Sequence, residues 1–396
     1  MRLAVISHKE CVHDSAEGRY FTDGGFPMQI RAISELFSGT RVVVPCTSEG
    51  NLAGMIPLDG QDLSVVPLEK LAGKDLQRKL RFPVWLFRNC RTIWAEVRKA
   101  DAVHTPIPGD VGTIGLIFAL IQRKPLFVRH CGNWMLQTTL AERFWKWCME
   151  QFAGGRNVML ATGGSDHAPS LKNPRVRWIF STSLRSDQLQ NLAPKILPND
   201  RPIRLIIACR QEQRKGTDVV LRSLTLIRQS VDVELSVVGG GSLLPKLKSL
   251  ASELGVADSV KFHGKVGQAD VVKLLSEADI FCYPTSASEG FPKVVVEALA
   301  TGLPVITTRV SVLPQLMREG CGVLIEPDPA QLADAVIKLC GDQVAYEEMS
   351  AAALTVASRF TLEKWKDCIA ENLSEAWNPV FDLTRGHALQ RDVSQV

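Results

Sequence analysis

Short apolar runs alternate with longer stretches of helical periodicity along most of this chain. Residues 3–7, 41–45, 102–104 and 126–129 read as strands, and a second series follows at 205–209, 234–238, 260–262, 280–283 and 305–308. Strands that alternate with helices argue for parallel sheets covered by helices. The polar stretch 183–200, with Pro194 and Pro198, separates the two series, so the domain boundary is expected there. The expected organisation is a first domain at 1–185, a linker at 186–200 and a second domain at 201–360. Leu362, Trp365, Ile369 and Leu373 recur at helical spacing and predict a helix over 361–377, followed by a polar, loose tail at 378–396.

A chain of 396 residues is long enough for two domains that each bury a core. The class expected is α/β, with two Rossmann-like domains facing across a cleft and ligands bound outside the carboxyl ends of the strands. Ten cysteines stand singly, without CxxC pairs or zinc-site spacing, a pattern that suits buried thiols in a reducing cytoplasm. Met1 leads directly into an apolar strand pattern with no signal segment, so secretion is not expected. The longest apolar run, 113–121, falls short of the roughly 20 residues that a spanning helix needs. Net charge is +4 from 46 basic and 42 acidic residues, too balanced to argue for nucleic acid. One local segment departs from that balance. Between residues 74 and 99, Lys74, Arg78, Lys79, Arg81, Arg88, Arg91, Arg98 and Lys99 interleave with Phe82, Trp85, Phe87 and Trp94, opposed only by Asp75 and Glu96. Such a segment can lie on an anionic membrane, or it can pack its aromatics on the first sheet and leave its cations in water.

The most informative run is Glu289-Gly-Phe-Pro-Lys-Val-Val-Val-Glu297, continuing to Gly302 and Pro304. Pro292 suits a first helical position, because its φ is preset and its missing N–H would be unpaired there. A helix start of this kind attracts phosphate, and the two glutamates flank it as hydroxyl acceptors. Ahead of it, the strand pattern 205–209 leads into Arg210-Gln-Glu-Gln-Arg-Lys215-Gly, a basic loop before a helix. Val237-Val-Gly-Gly-Gly241-Ser242 is a strand and glycine turn, and Lys261-Phe-His-Gly264-Lys-Val266 a further strand end. In the first half, Asp23-Gly24-Gly25-Phe26-Pro27 precedes an amphipathic helix pattern, and His130 follows an apolar strand. His104, after another strand, competes with His130, while Arg129 and Asn133 are candidates for acceptor contact.

Taken together, these motifs resemble the retaining glycosyltransferases of family 4, which have the GT-B fold. The resemblance covers most of the second domain and thins to two loops in the first. It implies that Glu289 contacts hydroxyls of the transferred sugar and that Glu297 holds the donor ribose. It implies that Gly290, Phe291, Pro292 and Lys293 turn their segment to the diphosphate, which Arg210 and Lys215 neutralise. The segment of Gly264 resembles the one whose backbone runs near the base in that family. The resemblance implies as well that Gly24 and Gly25 approach the donor from the first domain and that His130 contacts the sugar or the acceptor hydroxyl. It further implies that the first domain holds the acceptor and that the last helix crosses back to it. One loop departs from the family, because Thr308-Arg-Val-Ser311-Val-Leu-Pro314-Gln315 stands where members carry a glycine pair and a glutamate.

The activity expected is transfer of a sugar from a nucleotide-sugar donor to a glycan or lipid-linked acceptor, in surface polysaccharide or glycolipid assembly. Neither an Asp-x-Asp pair nor a histidine cluster accompanies the motifs, so no metal and no cofactor beyond the donor is expected. The alternatives are a GT-B nucleotide-sugar epimerase, which would form product without acceptor, and a non-catalytic subunit that binds the donor without hydrolysing it.

Overall fold

The computed structural model describes residues 1–377 apart from positions 49, 72, 74, 138, 191, 288 and 289, and does not describe the side chains of 75 and 76. Lys74, Glu289 and the expected tail therefore lie outside the described residues. The chain divides into two compact units, Met1–Phe180 together with the helix Leu362–Trp377, and Ser181–Thr361.

In the first unit, six parallel strands run in the spatial order Val176–Ile179, Asn157–Thr162, Leu126–His130, Ala102–Ile107, Arg2–Ile6 and Gly39–Thr47. Leu63–Glu69 pairs in parallel with Gly39–Thr47. The apolar runs become buried strands because helices cover both faces of the sheet. On one face, Ile93, Val97, Ile114, Leu116 and Met149 come from the helices Asp75–Lys99, Asp110–Ile121 and Leu140–Phe152. On the other face, Leu362, Trp365, Ile369, Leu373 and Trp377 are all buried beside Ile30 and Ile33 of the helix Phe26–Ser34. Each such side chain contributes roughly 1.5–3 kcal/mol by leaving water. A hairpin, Cys11–Asp14 with Arg19–Thr22, intervenes between the first strand and the glycine loop, and no apolar periodicity announces it.

Among the described residues, the second unit has six parallel strands in the order Val260–Gly264, Val233–Val238, Ile203–Ala208, Ile280–Tyr283, Val305–Thr308 and Gly322–Ile325. Strand order reverses beside Ile203–Ala208, so the switch point, the usual ligand position in such sheets, lies between it and Ile280–Tyr283. The opposite, amino-terminal edge is structural. There, buried Asp279 accepts two bonds from the Arg201 guanidinium, at 2.8 and 2.9 Å, and one from the Arg204 amide at 2.8 Å.

The segment expected to be a linker at 186–200 is instead built into the second unit, which begins at Ser181. The Lys195 amide donates to Ser350 Oγ at 2.7 Å, and its ammonium to the carbonyls of Ser276 and Ala278 at 2.6 and 2.7 Å. Leu197 is buried in that unit's core. Beyond the 3-10 helix Ser186–Leu189, Pro194 and Pro198 stand in irregular backbone, and these side chains supply the anchorage. Among the described residues, no helix is long and apolar enough to cross a membrane.

Candidate active site

At the switch point of the second sheet, the loop 209–216 is held by a side chain that has no sequence motif of its own. Gln211 is fully buried, and its amide donates to the carbonyls of Cys209 and Val238 at 3.0 and 3.1 Å. Its Oε1 accepts from Thr217 Oγ1 at 2.7 Å, so one residue joins the loop to the neighbouring strand and to the helix Thr217–Ile227. The Gln211 amide and carbonyl also bond Gly240 O and Leu243 N. This close approach explains the glycine turn, since a Cβ on Gly239 would sit 1.9 Å from Cys209 O and one on Gly241 2.3 Å from Gln211 O.

Arg210 lies exposed at the start of this loop, and Lys215 is buried at its end. Burial, with Arg210 nearby, holds the Lys215 ammonium below the ordinary lysine pKa. Gly216 follows at φ +88° and caps the helix Thr217–Ile227, and its missing Cβ admits Pro284 O. The helix start and the two cations thus form one positive pole. The next loop is stitched to it, because Arg214 O accepts from the amides of Ser286 and Ala287 and from Thr285 Oγ1, all within 3.0 Å. Thr308 Oγ1 in turn bonds Thr285 O at 2.5 Å. These ties fix the segment that runs into the 289–297 motif.

The helix of that motif spans Lys293–Leu299, so Pro292 is the residue just before the first turn rather than within it. Its ψ of 89° carries the chain out of helical geometry there. Gly290 is partly exposed, and Phe291 is buried with its ring 5.5 Å from Phe360. Glu297 is half-buried in the second turn, where its Oε1 accepts from Ser183 Oγ at 2.7 Å and from Gln268 Nε2 at 3.2 Å. Ser183 and Gln268, like Gln211, are site residues that no spacing in the sequence reveals. Gly264 adopts φ +67°, and its carbonyl accepts from the Gly239 amide at 2.8 Å, which joins the segment at 261–266 to the glycine turn. In the departing loop, Ser311 takes φ +54°, a left-handed conformation that costs a non-glycine residue about 1–2 kcal/mol.

In the first unit, Gly24 is exposed at φ +72° and Gly25 caps the helix Phe26–Ser34. Asp23 pairs with Lys9, which fastens this loop to the segment after the first strand. His130 is 1% exposed and edge-on to Trp134, with no hydrogen-bond partner for Nδ1 among the described residues. Burial lowers its pKa to about 4, so the ring is neutral at physiological pH. The competing His104 is stacked on Phe127 with Nδ1 bonded to Phe127 O at 2.9 Å, and burial lowers its pKa to about 3. Arg129 is buried, with its guanidinium 5.0 Å over the Trp365 ring, and Asn133 Oδ1 accepts from the amides of Met135 and Leu136. Among the described residues, no group of three or more His, Cys, Asp or Glu is positioned to hold a metal ion.

Two parallel-sheet units of this kind define the GT-B class. The fold is shared along nearly its whole length with the Anabaena protein Alr3699/HepE, solved in complex with UDP: TM-score 0.68, 17% identity, 95% of this chain and 100% of that one. Residues 202–342, which lie within the second unit, match the family described as glycosyl transferases group 1. A GDP-mannose-dependent alpha-(1-6)-phosphatidylinositol monomannoside mannosyltransferase of Mycolicibacterium smegmatis is 33% identical over 176 residues, 42% of this chain and 45% of that protein. A D-inositol 3-phosphate glycosyltransferase of Streptomyces griseus is 36% identical over 203 residues, 48% and 43% of the two chains. The match thus spans less than half the length of these relatives.

Proposed function

We propose that this protein is a retaining glycosyltransferase, moving a sugar from a nucleotide-sugar donor to a glycan or lipid-linked acceptor in surface polysaccharide or glycolipid assembly. The observation that carries the reading is the meeting of Arg210, buried Lys215 and the start of the helix Thr217–Ile227 at the switch point, cross-tied to the segment entering the 289–297 motif. A relative named for GDP-mannose and phosphatidylinositol, and a solved neighbour holding UDP, support a donor of this chemistry.

In transfer, the bond between the anomeric carbon and the diphosphate oxygen breaks, and negative charge builds on the leaving phosphate. Arg210 binds its oxygens as a fork, and Lys215 acts as a point charge. Lys215 is already desolvated, so the developing anion relieves its burial, and the pair stabilises the transition state more than the ground state. The acceptor oxygen bonds the anomeric carbon from the face that the leaving phosphate vacates, which retains configuration, and that phosphate accepts the acceptor's proton. Glu289 holds donor sugar hydroxyls, and the segment Gly290, Phe291, Pro292 and Lys293 faces the diphosphate. Ser183 and Gln268 hold one oxygen of Glu297 and leave the other for the ribose. Gly264 borders the base, Gly24 and Gly25 approach the phosphates, and His130 acts as a neutral hydrogen-bonding partner to the sugar or the acceptor hydroxyl. The fixed cations make a metal unnecessary. The enzyme works in the cytoplasm, at a membrane surface when its acceptor is lipid-linked.

The test is single-turnover assay of Glu289→Gln in the presence of EDTA. Nucleotide affinity within about twofold of wild type, with turnover lowered by roughly a hundredfold or more, is expected; wild type itself stays active with EDTA. Full activity in Glu289→Gln would remove the assignment.

A further inference from the structure

The three helices over one face of the first sheet bury one side well and leave large apolar groups on the other. Asp75–Lys99, Asp110–Ile121 and Leu140–Phe152 all contribute to the same core cluster. The first two also meet through the rings of Trp94 and Phe118, 5.0 Å apart and edge-on. Leu80, Val84, Phe87, Arg91 and Trp94 follow one helical stripe, and apart from Arg91 each is an exposed large apolar residue, Leu80 at 72% and Phe87 at 81%. The third helix repeats the pattern with Leu140, 82% exposed, Phe144 and Trp147. Of the aromatics in the first helix, Trp85 is buried and Phe82 half-buried, while Phe87 and Trp94 face water. Packing on the sheet therefore accounts for half of them. Among the described residues, the second unit exposes only Leu192, Ile196, Leu226 and Val344 of this size, none aromatic.

Charge selects the partner. Lys79, Arg81, Arg91 and Arg98 are exposed on the first helix and Arg143 on the third, and among the described residues none of them makes an ion pair. The nearby acids are occupied: Glu96 by Arg41 and Lys99, Glu150 by Ser170, and Asp110 by Arg78. Aromatic and aliphatic side chains set among unpaired cations match the interfacial zone of a bilayer, where rings enter the headgroup boundary and cations meet lipid phosphates. From these observations we infer that the outer face of these three helices docks on an anionic lipid bilayer. The inference rests on the proposed function only in making the acceptor lipid-linked; the docking itself needs neither donor nor turnover.

The experiment is co-sedimentation of the full chain, without nucleotide, with vesicles of phosphatidylcholine alone and of equal parts phosphatidylcholine and phosphatidylglycerol. Partitioning at least roughly tenfold stronger to the anionic vesicles, weakening with salt, is expected. Two double variants, Phe87→Ser with Trp147→Ser and Arg81→Glu with Arg91→Glu, should each lose roughly tenfold in binding, and their thermal unfolding should match wild type because these side chains are exposed. Equal binding to both vesicle types, binding unaffected in both variants, or concentration-dependent self-association without vesicle binding would overturn the inference. The last would assign the face to a second copy of the chain. A failed glycosyl-transfer assay leaves the vesicle result standing, so the two readings fail separately.

Discussion

Replacing Gln211 by methionine keeps the volume of a fully buried side chain while deleting its hydrogen bonds. Three are lost, to Cys209 O, Val238 O and from Thr217 Oγ1. At about 1 kcal/mol net for each, and with the Thr217 hydroxyl left buried without its acceptor, the cost is about 2–4 kcal/mol. Val238 O keeps its bond from the Cys209 amide, which limits the total. For a unit of the size of Ser181–Thr361, that corresponds to a fall of roughly 5–15 °C in its unfolding midpoint. The loop carrying Arg210 and Lys215 should loosen with it, so hydrogen exchange at 209–217 should quicken and donor KM rise roughly tenfold. A midpoint within about 2 °C of wild type, with unchanged exchange and donor KM, would refute the view that Gln211 builds the site.

Lys215 gives a pH signature. Its pKa lies below the ordinary lysine value because of burial and Arg210, so the cation is lost at lower pH than usual, and donor affinity should fall as pH rises through that range. Lys215→Arg should flatten this alkaline arm; an unaltered profile in the variant would exclude the lysine as its source. His130 acts at the acid end. With a folded pKa of about 4 against 6.5 unfolded, its neutral ring stabilises the fold fully above pH 6.5, and that stability drains as pH falls towards 4. At about 1.4 kcal/mol per pKa unit, the loss over the window is roughly 3 kcal/mol. Urea titrations of wild type and His130→Gln at several pH values should show a shallower acid loss in the variant, and parallel curves would count against the buried, neutral ring.

Much of the fold could be read from apolar runs. Strands expected at 280–283 and 305–308 are observed as Ile280–Tyr283 and Val305–Thr308. The run at 102–104 extends to Ile107 because Thr105 and Pro106 are buried despite interrupting the apolar pattern. Asn157–Thr162, Val176–Ile179, Leu63–Glu69 and Gly322–Ile325 were not among the expected strands, the last because a strand of four residues beside glycines offers little periodicity. The stretch 183–200 reads as a linker because its prolines and polar residues interrupt the periodicity, while Lys195 and Leu197 bind it to the second unit. In the site, loops announce themselves because glycines and clustered charges are local signals. The residues that brace them do not: Ser183 reaches Glu297 across 114 positions, and a buried glutamine inside a charged loop resembles any surface residue until its partners are seen.

The central claim is that the second unit binds a nucleotide-sugar donor through the 289–297 motif. The most direct measurement is thermal unfolding of the protein against UDP, GDP, ADP, CMP and their common sugar conjugates, repeated with Glu297→Ala. Stabilisation by one nucleotide series, worth about 2.7 kcal/mol at roughly a hundred times its dissociation constant and lost in the variant, is the result predicted. No shift with any nucleotide, or an equal shift in Glu297→Ala, would contradict it.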